Sequence, residues 1–121
     1  MFEHPNSADL IAAVRAYLEQ TAIPALSGHN AFHGRVAVNV LSILERELAL
    51  GPAALAAETA RLQTLLGAPE AGLGQLRAML CAKIASGEIT AESPGVLAHL
   101  LATAADRVAI EQPNYASLKL V

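Results

Sequence analysis

From Leu10 to Val108 the apolar residues of this chain recur every third or fourth position, and no run of strict alternation interrupts them before the last few residues. That single pattern most limits the fold. A three-to-four spacing puts apolar side chains on one face of a helix, whereas a strand facing a core needs a period of two. With 121 residues the chain is one domain of ordinary size. The expectation is an all-α, single-domain bundle of about five helices over 1–121, with mostly short connections. Residues 1–6 read as a loose lead-in and 116–121 as a tail, either an extended strap or frayed.

The punctuation supports this division. Asn6 or Ser7 caps a first helix, with Asp9 in its first turn. Leu10, Ile11, Val14, Tyr17, Leu18 and Thr21 form its stripe, and Arg15 and Glu19 pair on the other side. Pro24 ends or kinks it near Ala22. Asn30 caps a second helix, which Gly51 stops; Pro52 then opens a third over 52–66, with Leu55, Leu62, Leu65 and Leu66 inward. A fourth helix runs from about Leu73 to Ser86, with Leu73, Leu76, Leu80 and Ile84 as its stripe, and Gly87 closes it. Ser93-Pro94 opens a fifth, with Leu97, Leu101, Ala104 and Val108 inward, and Pro113 stops it.

Composition excludes several functions. Hydrophobic residues make up 54%, much of it Ala, which hints at an oligomeric or partner interface. Aromatics are 3% and Trp is absent, so the core is built of Leu, Val, Ile and Ala. A net charge of −3 without a Lys/Arg cluster argues against nucleic acid. One cysteine, Cys81, excludes an internal disulfide and reads as a small buried hydrophobe. The opening MFEHPNSADL lacks the layout of a secretory signal, and no apolar run reaches the length of a membrane span. A soluble cytoplasmic protein is expected, with no membrane or nucleic-acid partner.

AFHGRVAVNVLSILERELAL, residues 31–50, forms the most apolar helix. Phe32, Val36, Val40, Leu41, Ile43, Leu44 and Leu48 cover about half its circumference, which suggests a central position. His33 and Glu47 fall inside that arc, about 21 Å apart along the axis, too far to touch. Each is either a hydrogen-bonded residue near a helix end or, for His33, the edge of a small pocket shared with Arg35 or Asn39 and closed by Tyr115. His29 and His33 are four apart, but HNAFH lacks the glutamate of a metalloprotease motif and His29 is expected to precede the helix, so no metal site is expected. Arg35, Asn39, Ser42 and Arg46 make a polar ridge, either solvated or a docking ridge for a partner. His99, Thr103 and Asp106 share a face of the fifth helix, but His99 and Asp106 lie about 10 Å apart along the axis. With no nucleophile nearby, these three read as a solvated face. No phosphate loop, CxxC or GxSxG motif appears, so no cofactor is expected.

The run Phe32-His33-Gly34-Arg35-Val36-Ala37-Val38-Asn39-Val40-Leu41, with Glu45-Arg46-Glu47-Leu48, resembles an uncharacterised bacterial domain family of unknown function. Asp106-Arg107-Val108-Ala109-Ile110-Glu111-Gln112-Pro113-Asn114-Tyr115 is similar to that family's C-terminal end. Its members are small stand-alone proteins, encoded beside acyl-CoA dehydrogenase-like proteins and aminoglycoside-phosphotransferase-like kinases. The resemblance implies a non-catalytic accessory role in acyl-CoA or related catabolic metabolism, with a kinase-like or dehydrogenase-like partner. It supplies no catalytic residues. Gly34 departs from the Ala expected inside a helix. The alternative is a small-ligand module or minor enzyme with a pocket near His33, Arg35 and Asn39. A homodimer through the second or fifth helix is compatible with either.

Overall fold

A computed structural model describes residues 5–120. These are helical almost throughout, and no strand occurs among the described residues. The α-helices are α1 (Ser7–Tyr17), α2 (Gly28–Leu66), α3 (Leu73–Ala85) and α4 (Val96–Glu111). A π-helical turn, Leu18–Ala22, and a 3-10 turn, Ile23–Ala25, follow α1; a second 3-10 turn, Ala116–Leu120, ends the described chain. The described part of the tail is a 3-10 turn and not an extended strap. Most of the lead-in, residues 1–4, and Val121 lie outside the described residues. No helix is long and apolar enough to cross a membrane among the described residues.

The five expected helices become four because the expected second and third are one. α2 runs for 39 residues with Pro52 inside it. Gly51 is helical and buried, and it lacks the positive φ of a helix-ending glycine. A proline inside a helix costs a hydrogen bond and crowds the carbonyl four residues back, here Leu48, and it kinks or ends a helix; here α2 continues through it. Asn30, expected to cap the second helix, lies inside α2, and α4 starts at Val96 after Gly95 and not at Ser93-Pro94; several other ends follow the sequence. Asn6 and Asp9 form a reciprocal capping box, 2.9 and 3.1 Å, at the start of α1. Gly67 at φ +63° and Gly87 at φ +80° take the left-handed conformation just past α2 and α3. α2 begins at Gly28, so His29 lies inside the helix and not before it.

The chain divides into two compact units, Met1–Ala49 and Leu50–Val121, with α2 contributing to both. In the first unit α1 lies along the opening turns of α2. Arg15 donates through Nε and Nη2 to the Glu45 carboxylate and through Nη1 to Glu19 at 3.1 Å. These bonds hold Glu45 below the usual carboxylate range. The Arg15–Glu19 pair forms as expected, but Arg15 is half-buried and also reaches Glu45 of α2. Gly34 permits the close approach: a methyl group there would meet Ile23 Cγ1 at 2.8 Å. The glycine that looked out of place in the sequence is the point where the turn after α1 presses on α2.

Burial in this unit runs against the expected stripes. α1 has no buried residue, and Ala31 is the one described residue of the unit that is buried. Leu10, Val14 and Tyr17 on α1 are exposed, as are Phe32, Val36, Val40, Leu44 and Leu48 on α2. The apolar arc of α2 is thus not central; its other side carries the packing with α1.

The second unit has a core. Leu62 of α2 and Leu76 and Leu80 of α3 are buried together, with Leu65, Leu66, Leu73 and Ile89 packed around them. Leu55 and Ile84, expected inward, are exposed. On α4 the buried residues are Val96, His99 and Ile110, while Leu97 and Leu101 face outward. Cys81, expected to be buried, is exposed and free.

Candidate functional site

The second unit encloses a polar cluster that the apolar periodicity did not reveal. Two α2 residues one turn apart, Glu58 and Arg61, point toward different helices. Glu58 is 7% exposed and accepts two bonds from Arg77 of α3, Nε at 2.8 Å and Nη2 at 2.7 Å. Arg61 reaches α4: its Nε donates to His99 Nδ1 at 3.1 Å and its Nη2 to Thr103 Oγ1 at 3.1 Å. His99 is 5% exposed. Among the described residues no buried side-chain nitrogen or oxygen lacks a partner.

The electrostatics follow from these contacts. The bidentate guanidinium of Arg77 holds Glu58 below the usual carboxylate range against the opposing effect of burial. Burial, with the Arg61 cation next, pushes His99 below the usual histidine value, so the imidazole is neutral at pH 7. Nδ1 accepts from Arg61, so Nε2 carries the proton. A neutral imidazole in that state has no lone pair left for a substrate proton. His99 is therefore held as a pin between α2 and α4, and the cluster ties three helices together.

A shallow cleft lies beside this cluster, lined by Arg61, Thr64, Leu65, Pro94, Gly95 and His99. A second, mainly apolar one is lined by Leu101, Ala104, Val108, Tyr115, Ser117 and Leu118, between α4 and the last 3-10 turn. Its neighbours Leu97 and Leu100 are also exposed. This face exists because the buried side of α4 is turned toward Arg61, which leaves its leucines outside.

The residues singled out by sequence are distributed between the units. His33, Arg35 and Asn39 are exposed on the first part of α2, and Arg46 is half-buried there. At about 100° per residue, His33 and Arg35 point to nearly opposite sides of the helix, so they do not converge. Asn39 shares the polar side with Arg35. His29 and His33 are one turn apart on α2, but among the described residues no group of three or more His, Cys, Asp or Glu side chains is placed to hold a metal. Tyr115 belongs to the second unit and lines the apolar cleft. The expected solvated face of α4 is corrected: His99 is buried and Thr103 accepts from Arg61, while Asp106 is half-buried beside Leu50, Ala53 and Ala57. The Glu58 and Arg61 roles were missed; a Glu and an Arg three apart on an otherwise Ala- and Leu-rich stretch were the available signal.

Long α2, the Arg61–His99 pin and the outward leucines of α4 define a small all-helical protein. The chain belongs to the family described as a domain of unknown function (DUF6285), whose model matches residues 24–115. No curated protein and no solved structure matches it.

Proposed function

We propose that this protein is a non-catalytic accessory protein that binds a partner protein through the outward face of α4 and the 3-10 turn after it. The carrying observation is the apolar surface formed by Leu97, Leu100 and Leu101 beside the cleft that Tyr115 and Leu118 line. Contiguous exposed apolar surface on a small protein marks an interaction site more often than chance exposure. Interface centres are enriched in aromatic residues, and Tyr115 lines this cleft. The cluster at His99 supports the same reading, since the one basic nitrogen of His99 accepts from Arg61. The resemblance noted in the sequence suggests a kinase-like or acyl-CoA dehydrogenase-like partner in acyl-CoA or related catabolic metabolism.

The test is co-purification of the tagged chain from its native cells, with Leu101→Asp alongside. Leu101 is 48% exposed, so the variant keeps its helical circular dichroism. The wild type is expected to retain a stoichiometric kinase-like or dehydrogenase-like protein, and Leu101→Asp to lose most of it. Recovery of the wild type alone, or a partner held equally by the variant, contradicts the proposal.

A further inference from the structure

Arg61 is a half-buried cation with no counter-charge of its own. The two side chains it bonds, His99 and Thr103, are neutral, and among the described residues no carboxylate pairs with it. Glu58 lies one turn earlier on α2, but both of its oxygens accept from Arg77. Drawing a guanidinium partly out of water without an opposite charge is costly. Arg61 lines the cleft between α2 and the start of α4, and no carboxylate is among the residues that line it.

His99 opens into the same cleft. It is 5% exposed, and its Nδ1 accepts from Arg61. Its Nε2–H has no protein acceptor. Since no buried side-chain nitrogen lacks a partner among the described residues, the little exposure His99 keeps includes Nε2, and the cleft it lines is where that nitrogen meets solvent. With Nδ1 as the acceptor, Nε2 can only donate.

The start of α4 adds further donors. Its N-cap is Gly95 at φ +82°, which has no side chain to cap the helix. The Val96 N–H bonds the Ser93 carbonyl and the His99 N–H bonds the Gly95 carbonyl, which leaves the N–H groups of Leu97 and Ala98 without a protein acceptor. Pro94, Gly95 and Ala98 line the cleft, so the positive end of α4 borders the same space as Arg61 and the His99 Nε2–H. All of these groups belong to the second unit.

We propose that this cleft binds a small organic oxyanion, a carboxylate or a phosphate monoester. Its oxygens accept from the His99 Nε2–H and the first-turn N–H groups of α4. Arg61 supplies the counter-charge, and Leu65 and Pro94 take the apolar body. A cation would meet only donors and a like charge here, and an uncharged ligand would leave Arg61 unneutralised. The site rests on different side chains from the partner surface on α4, so either can fail without the other.

Nuclear magnetic resonance of the isotope-labelled chain reads the site directly. The protein is titrated near neutral pH, at constant ionic strength, with butyrate, with methyl phosphate and with chloride. Saturable shifts of the Leu97 and Ala98 amides and of the His99 Nε2–H are expected with at least one of the two oxyanions and with none from chloride; the oxyanion that binds identifies the head group. Ala98→Asp sets a carboxylate at the mouth of the site. Ala98 is exposed, and an acidic residue in the first turn of a helix is favourable, so this variant keeps its fold. It should bind at least about ten-fold more weakly, because the ligand then meets a like charge. Arg61→Gln should weaken binding as much; if it fails to fold, Ala98→Asp decides alone. No saturable shift with either oxyanion overturns the proposal. So does an equal response to chloride, or an Ala98→Asp chain that binds as tightly as the wild type.

Discussion

Arg77→Ala is expected to destabilise the protein by about 2–3 kcal/mol, well beyond the effect of removing an ordinary surface arginine. Arg77 is itself half-exposed, with 53% of its side-chain surface accessible, but its partner is not. Removing one member of a buried ion pair costs about 3–5 kcal/mol because the other is stranded. The solvent access of Arg77 lowers that figure. Glu58→Gln in the Arg77→Ala background should recover part of the loss, since a neutral amide is less costly to bury than a carboxylate.

The pH dependence carries the same information. Glu58 and His99 both have folded values below their ordinary ones. For each, the stabilisation is fully present above the unfolded value and is lost as pH falls through the folded value. Wild-type stability should therefore fall below about pH 6.5 as His99 is charged more readily in the unfolded chain, and again in the carboxylate range as Glu58 is protonated. In Arg77→Ala the first limb should persist and the second should flatten, because burial then opposes ionisation of Glu58. Urea unfolding from pH 7 down to the acid limit measures both. A change within about 0.5 kcal/mol, with the acid limb intact, would show that Glu58 does not depend on Arg77.

Pro52→Ala should act in the opposite direction, raising stability by about 1–3 kcal/mol. Within a continuous α2, alanine restores the N–H that bonds the Leu48 carbonyl and removes the ring that crowds it. Pro52 is exposed, so little packing is lost. The sign is diagnostic. If Gly51-Pro52 separated two helices, Pro52 would occupy a first turn, where its fixed φ is favourable, and alanine would stabilise nothing. Thermal melts of the two proteins decide between these arrangements; an unchanged or lowered midpoint contradicts the continuous helix.

The sequence shows the all-helical class and most helix ends because those depend on local chemistry: the Asn6–Asp9 capping box, Gly67 and Gly87. It misleads at Gly51-Pro52 because the same dipeptide suits a break and a tolerated interior proline, and the choice rests on packing. Face assignment fails for a related reason. α4 is apolar on two sides, so Leu97 and Leu101 look as inward as Val96 and Ile110. The side that is buried is the one that meets Arg61, 38 positions away from His99 in the chain. The Glu58–Arg77 pair, 19 positions apart, is equally invisible to periodicity. On the first part of α2 the sequence shows His33 and Glu47 inside an apolar arc, but not that the arc is exposed. That exposure comes from Gly34 and Glu45, which draw α1 to the other side.

If the apolar face on α4 binds a partner protein, as proposed, the chain should not occur in its cells alone. The most direct test is the native mass of the endogenously tagged protein in a gentle extract of its own cells, by size exclusion with light scattering and mass spectrometry of the peak. The predicted result is an assembly that contains the 12.5 kDa chain together with a second protein. A single peak at the mass of one chain would contradict the account.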